Sequence, residues 1–207
     1  FASCRRLQSI VIPYPISVIG SHAFSYCDSV TTLTLPNSLD SIANDAFSQM
    51  SSLQRVDFMG TAEQWCGIVF KSNPVSTSRC LYINNQPVEH LILAAGATKV
   101  NANAFKRCNS LRRINTGHAC SVIEESAFND CDSLHTVIFG SGLDSIGYQA
   151  FYYCNNIDSV VCLSTVPPAI VNGSFHYYGN TVTLHVPCGS GQAYLASSWH
   201  NYVNNND

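Results

Sequence analysis

The sequence predicts an α/β repeat solenoid, right-handed, with a parallel β-sheet along one face and short turns or helical segments along the other. Three observations carry that prediction. The dipeptide Ala-Phe returns at Ala23-Phe24, Ala46-Phe47, Ala104-Phe105, Ala127-Phe128 and Ala150-Phe151. Counting from Phe1, the spacings between the phenylalanines are 23, 23, 58, 23 and 23 residues. The apolar positions around each Phe also keep one phase from end to end. A fixed period of this length is the signature of stacked coils, none of which can bury its own apolar face alone.

The elements of the unit follow in order. Eight residues before the Phe stand Ile16, Leu39, Ala97, Cys120 and Leu143, and five before it Ile19, Ile42, Val100, Ile123 and Ile146. These supply one wall, on which the small Ala before each Phe lets successive turns pass closely. Three residues after the Phe come Cys4, Cys27, Met50, Cys108, Cys131 and Cys154; six after it come Leu7, Val30, Leu53, Leu111, Leu134 and Ile157. The beat then shortens to an alternation, with Leu33 and Leu35, Val56 and Phe58, Val137 and Phe139, and Val160 and Cys162 nine and eleven residues after the Phe. That alternation suits a strand with one face inward. Ile114 and Thr116 are the partial exception. One unit reads L-x-x-I-x-x-x-A-F-x-x-C-x-x-L-x-x-V-x-F. Strands of neighbouring coils should pair in parallel about 4.8 Å apart.

The gap of 58 residues hides a degenerate copy. Counting 23 from Phe47 lands on Phe70, with Trp65 five residues before it, an inward position that reads as core. The next strand comes late: Val88, Leu91 and Leu93 match Leu53, Val56 and Phe58 after 12 inserted residues, placed within 71–87. Cys80 to Val88, with Asn84-Asn85 between alternating apolar runs, reads as a hairpin. The whole chain, 1–207, is expected to form one solenoid of about eight coils. The first is truncated at Phe1, the last opens at Phe175, and 187–207 form a cap with a helical segment from Gln192 to Tyr202. The structural residues are Phe24, Phe47, Phe70, Phe105, Phe128 and Phe151, with Cys27, Cys108, Cys131 and Cys154.

Composition narrows the function. The 207 residues are 46% hydrophobic and only 11% charged, against about 25% charged in a typical soluble domain. Exposed faces must therefore be built from Ser, Thr, Asn, Gln and Tyr. A net charge of -3 and the lack of any long Lys/Arg run give no basic field for a phosphate backbone, which argues against nucleic acid. No segment has the apolar length of a membrane-spanning helix, and Phe1-Ala2-Ser3-Cys4 does not read as a signal peptide.

Chemistry has few candidates. The ladder cysteines interchange with Met50, as small buried hydrophobes do. Parallel rungs also hold Cβ atoms in poor geometry for a bridge. Cys66 and Cys80 flank the inserted segment and belong to no ladder, so a bridge and two free thiols both remain open. No C-x-x-C occurs and the seven histidines show no H-x-x-x-H spacing, so neither a metal nor a cofactor is expected. A Cys-His hydrolase would need a buried ladder thiol, which is inert as a nucleophile. No catalytic residue is expected.

Recognition is better sought on the outward strand face. Arg55, His90 and Arg113 fall at the same repeat position and are expected on three consecutive rungs, a basic stripe that strengthens when His90 takes up a proton. Ile92, Ile138 and Val161 lie beside it as exposed apolar area, which monomers seldom leave unused. Loops off a rigid scaffold often carry recognition too, which adds Tyr82, with Asn84, Asn85 and Gln86 at the hairpin tip. Tyr177-Tyr178 form either a patch or part of the cap.

The I-x-x-x-A-F-x-x-C-x-x-L signature at this period resembles the bacterial BspA-like leucine-rich repeats, over nearly the whole chain from Phe1 to about Val186. The run Thr183 to Tyr194 followed by Trp199 is similar to the C-terminal end of such proteins in gut and oral Bacteroidetes. The resemblance implies a leucine-rich-repeat fold and a secreted or surface-attached bacterial protein, adhesin-like, that contacts host proteins, glycans or other cells. No Asn ladder follows the strands, unlike the larger horseshoe families. A passive spacer within a longer surface protein is the alternative, favoured by the truncated first coil.

Overall fold

The apolar beat of the repeat becomes two walls of parallel strands around a filled interior. The computed structural model describes residues 1–75, 79–175 and 182–201. In chain order the first coils run β1 (Ser9–Val11), β2 (Val18–Ile19), β3 (Thr32–Leu35), β4 (Ser41–Ile42) and β5 (Arg55–Phe58). Helix α1 (Ala62–Gly67), β6 (Val69–Phe70), β7 (Cys80–Ile83) and β8 (Gln86–Pro87) follow. The second half runs β9 (His90–Ile92), β10 (Lys99–Val100), β11 (Arg113–Asn115), β12 (Val122–Ile123), β13 (Thr136–Phe139) and β14 (Ser145–Ile146). It closes with β15 (Ser159–Cys162), β16 (Ala169–Ile170), β17 (Thr183–His185), helix α2 (Gly191–Leu195) and a single 3-10 turn, Ser198–Asn201.

The longer strands build one wall as two half-sheets, β1-β3-β5-β7-β8 and β9-β11-β13-β15-β17. The two-residue strands build the other, as β2-β4-β6 and β10-β12-β14-β16. Every pairing is parallel except the hairpin between β7 and β8. Register follows the repeat: Leu33 lies opposite Val56, and Val137 lies between Ile114 and Val160. This is a leucine-rich-repeat solenoid with few helices. No described helix is long and apolar enough to cross a membrane.

Between the walls the phenylalanines stack face to face in two columns. Phe1, Phe24 and Phe47 lie 5.5 and 5.6 Å apart. Phe105, Phe128, Phe151 and Phe175 lie 5.0 to 5.2 Å apart. The turn that carries each Phe holds left-handed residues two places before and two places after it. These are His22 and Tyr26, Asp45 and Gln49, Asn103 and Arg107, Ser126 and Asp130, and Gln149 and Tyr153. The alternation aims every second N–H at the next coil: His22 donates to the carbonyl of Asn44, Phe24 to Ala46 and Tyr26 to Ser48, at 2.8 to 3.2 Å. The same triplet recurs from Asn103, Phe105 and Arg107 to Glu125, Ala127 and Asn129. A left-handed non-glycine residue costs about 1–2 kcal/mol, a cost offset by backbone groups that would otherwise be buried without partners.

The ladder cysteines do more than fill space. The Sγ of Cys131 donates to the Phe105 carbonyl at 3.1 Å and that of Cys154 to the Phe128 carbonyl at 3.0 Å. Thr116, the exception to the apolar alternation, is fully buried. Its Oγ1 accepts the Gly140 N–H at 3.0 Å. At this point the coils touch through backbone: a Cβ on Gly140 would run into the Gly117 carbonyl.

The middle of the chain departs from the expected register in two ways. Phe70 does not mark a coil. It pairs with Ile42, and Val75, five residues on, is the buried side chain at the interval where Phe follows Ile elsewhere. The shift comes from α1, which lengthens the path from Phe58 to Phe70. The helix begins with a capping box in which the Gln64 N–H donates to Thr61 Oγ1 and the Thr61 N–H to Gln64 Oε1. It buries Trp65 as core, with Nε1 donating to the Ala104 carbonyl at 2.8 Å. The excess length is thus shared between α1 and the segment up to Pro87.

Secondly, the strand next to β5 is β7, with Val56 opposite Leu81, and not the Val88–Leu93 segment. Leu81 and Ile83 offer the same alternation only 25 residues after Val56 and Phe58. The hairpin expected at Asn84-Asn85 is present, both residues left-handed at φ 50° and 60°, the conformation a two-residue turn requires. It turns the chain back along β7 before β9 opens the second half-sheet. At the C-terminal end, Tyr194 and Trp199 are buried, and the Trp199 ring packs 5.8 Å from Phe175 and 6.2 Å from Phe139. The helix there is shorter than the sequence suggested, and Tyr202 lies outside the described residues.

Candidate functional site

The outward positions of the longer strands form the broadest regular surface, and their register decides which side chains meet. In the first half-sheet Ser9, Thr32, Arg55 and Cys80 follow one another across the strands, with Val11, Thr34, Asp57 and Tyr82 two residues on. In the second the rows are His90, Arg113, Thr136, Ser159 and Thr183, and Ile92, Asn115, Ile138, Val161 and His185. Arg55, His90 and Arg113 are therefore not on three consecutive rungs. His90 and Arg113 are neighbours, whereas Arg55 lies between Thr32 and Cys80 in the other half-sheet. The reason is the extra strand β7, which takes the place beside β5 that the repeat count assigns to β9.

Arg55 is also chemically different from the other two. Its Nε reaches both carboxylate oxygens of Asp57 at 2.9 and 2.8 Å and its Nη2 reaches Oδ1 at 2.7 Å. Its guanidinium carbon lies 3.9 Å from the centroid of the Tyr82 ring. The hydrogen bonds to Asp57, opposed by a little desolvation, hold the Arg55 pKa above its ordinary value. This bidentate, ring-stacked arrangement is the strong form of an arginine contact, and it neutralises the charge locally. Arg55 and Tyr82 form a rigid polar plate rather than a free cation. Only Asp57, buried beside them, could have signalled the pairing in the sequence: it stands two residues from Arg55, on the same strand face.

Arg113 and His90 are exposed, and neither has an ion-pair partner among the described residues. Ile92, one row over, is 70% exposed. Ile138 and Val161 lie side by side and half-buried, separated from Ile92 by Asn115. The second half-sheet thus presents Arg113 with His90 beside it, next to a β-branched apolar strip of Ile138 and Val161. Hairpin residues Asn84, Asn85 and Gln86 are exposed. Tyr177 and Tyr178 lie outside the described residues.

The ten cysteines are all free, so Cys66 and Cys80 are not bridged; Cys66 lies on the buried side of α1 while Cys80 is exposed. Burial pushes the Cys108 thiol up to about 11 and the Cys162 thiol up to about 12. It raises the Cys66 and Cys131 thiols well above their usual value. Thiols held in that state are poor nucleophiles. No cluster of three or more His, Cys, Asp or Glu side chains that could hold a metal occurs among the described residues.

A search of curated proteins found no match. Among solved structures, the chain is similar to a leucine rich cell surface protein from Faecalibacterium prausnitzii, at 21% identity and a TM-score of 0.48, over 81% of this chain and 50% of that one. It is similar to a leucine-rich repeat protein from Bacteroides ovatus at 22% identity and a TM-score of 0.45, over 86% and 54% of the two chains. The pneumococcal vaccine antigen PcpA aligns at 14% identity and a TM-score of 0.48, over 92% of this chain and 65% of its own. The chain therefore spans between half and two thirds of the length of these proteins. The family model for the BspA type leucine rich repeat region matches residues 1–80 and 76–192, in six copies. With the 23-residue register, the stacked Phe columns and that match in hand, this chain belongs to the BspA-type leucine-rich-repeat family.

Proposed function

We propose that the chain is a non-catalytic binding scaffold that presents the outward face of its second half-sheet to an acidic protein or glycan at a bacterial surface. The observation that carries the reading is the register that sets His90 beside Arg113 and Ile138 beside Val161 on one rigid wall. One arginine and one histidine without ion-pair partners among the described residues, next to the exposed Ile92 and the half-buried Ile138 and Val161, make a surface with both charge and apolar area. Such a surface acts without a nucleophile or a metal, and the solenoid holds it rigid at no cost in ordering. The Arg55–Tyr82 plate on the first half-sheet is the second contact, offering a flat π face and hydrogen-bond donors of fixed direction. The surface location is carried over from the family.

The test is an array of matrix proteins and glycans probed with the wild type and with a variant carrying His90→Glu and Arg113→Glu. The reading expects at least one acidic partner whose affinity falls tenfold or more, about 1.4 kcal/mol, in the variant, with the loss shrinking as salt is raised. A partner bound equally by both proteins removes this surface from the account and leaves the spacer.

A further inference from the structure

The second half-sheet carries another charged row just ahead of its strands. One residue before His90, Arg113, Thr136 and Ser159 stand Glu89, Arg112, His135 and Asp158, all exposed. The backbone sets them on successive coils. The Arg112 N–H donates to the Glu89 carbonyl at 2.8 Å, that of His135 to Arg112 at 3.0 Å and that of Asp158 to His135 at 3.1 Å. Neighbours in the row are therefore one rung apart, about 4.8 Å. Arg112 and Arg113 share a single rung, and a histidine stands on each side of it: His90 in the row of Arg113, His135 in the row of Arg112.

Carboxylates hem this group in. Glu89 and Asp158 close the Arg112 row at its two ends, and Asp158 Oδ2 lies 3.9 Å from His135 Nδ1. The turn before β13 adds Asp132, whose Oδ1 accepts from Asn155 Nδ2 at 3.5 Å. The other charges nearby are already engaged. Arg107 pairs with Asp130 at 3.0 Å, and Glu63 on α1 accepts the Ala94 N–H just after β9 at 2.8 Å. Arg79, on the first half-sheet side, donates to the carbonyls of Pro74 and Met50 at 3.0 and 2.8 Å, and β8 carries no charge. Histidine changes charge between about pH 5 and 8, whereas arginine and carboxylate side chains ordinarily keep theirs. With both histidines neutral, two arginines face three carboxylates; with both protonated, four cations face the same three. Falling pH thus turns the local balance from negative to positive.

We propose that this patch is an acid-gated site for a polyanion, held off by its own carboxylates at neutral pH and opened when His90 and His135 take up protons. The proposal rests on the reading of this face as the binding surface and adds the condition under which it binds. The experiment measures binding of the full chain to dextran sulfate, whose sulfates stay ionised throughout, at pH 5.5 and pH 7.5 and one low ionic strength. Wild type is expected to bind about tenfold or more tighter at pH 5.5, with the gain shrinking as salt is raised. His90→Gln with His135→Gln should bind at both pH values about as weakly as wild type does at pH 7.5. His185→Gln, on the same wall beside Val161, should keep the gain, which separates this patch from the charge of the whole chain. Glu89→Gln with Asp158→Asn should bind more tightly than wild type at pH 7.5. A gain that survives the double histidine substitution overturns the proposal, as does the absence of binding at either pH. Equal binding at both pH values, lost in His90→Glu with Arg113→Glu, overturns the gating while leaving the surface itself in place.

Discussion

At the level of single residues the cysteines say most about how the fold works. Seven of the ten, Cys27, Cys66, Cys108, Cys120, Cys131, Cys154 and Cys162, are buried; Cys4 is half-buried; only Cys80 and Cys188 are exposed. Because the thiolate is the reacting species and burial lifts the thiol pKa, a disulfide reagent at pH 8 should titrate two thiols quickly. Cys4 should follow slowly, and all ten should react in denaturant without reductant. Eight in denaturant would mean a bridge. The ladder position tests a finer point. Cys131 donates to the Phe105 carbonyl, so Cys131→Ser, which keeps a donor, should be more stable than Cys131→Ala by about 1 kcal/mol in chemical denaturation. Pure packing predicts the opposite order, since a buried hydroxyl without a use is unfavourable. The sequence placed these thiols inward through their interchange with Met50. The hydrogen bond was hidden because its acceptor lies 26 residues earlier, in the preceding coil.

Among the elements, regular coils were legible and the irregular one was not. Strands β3, β5, β13 and β15 fall where the nine-and-eleven beat puts them, and the hairpin turn is where Asn84-Asn85 marks it, because each signal is local. Phe70 misled because its spacing from Phe47 equals the repeat by coincidence, while α1 shifts the chain. The capping residues Thr61 and Gln64, three apart, were the available sign of that helix. Placing the next strand at Leu91 rather than Leu81 then carried the error into the surface, and joined Arg55 to a row to which it does not belong. The left-handed turns carry no glycine to mark them: His22, Tyr26, Gln49, Arg107 and Tyr153 all take that conformation, and inter-coil hydrogen bonds hold His22, Tyr26 and Arg107 there. Gln49 is exposed and left-handed at φ 55°. Gln49→Gly should therefore raise stability by about 0.5–1 kcal/mol in chemical denaturation, relief of strain outweighing the extra entropy of glycine. A loss of stability would mean that the ribbon is less constrained than its geometry implies.

For the whole molecule, the stack has no central globule. Each coil is buried only by its neighbours, so stability is a sum of interfaces and the surfaces are left free for contact. The seam at α1 is where the regular walls give way to a cleft. The central claim is that one strand has a face that holds the fold and a face that touches other molecules. Val137 and Ile138, adjacent on β13, separate them: Val137 is fully buried while Ile138 faces outward. Thermal unfolding of Val137→Asp and Ile138→Asp tests this most directly. The account predicts that Val137→Asp loses more than about 4 kcal/mol and its cooperative transition, as a buried unpaired charge does. Ile138→Asp should melt within about 1 kcal/mol of wild type. Equal melting of the two variants would contradict it.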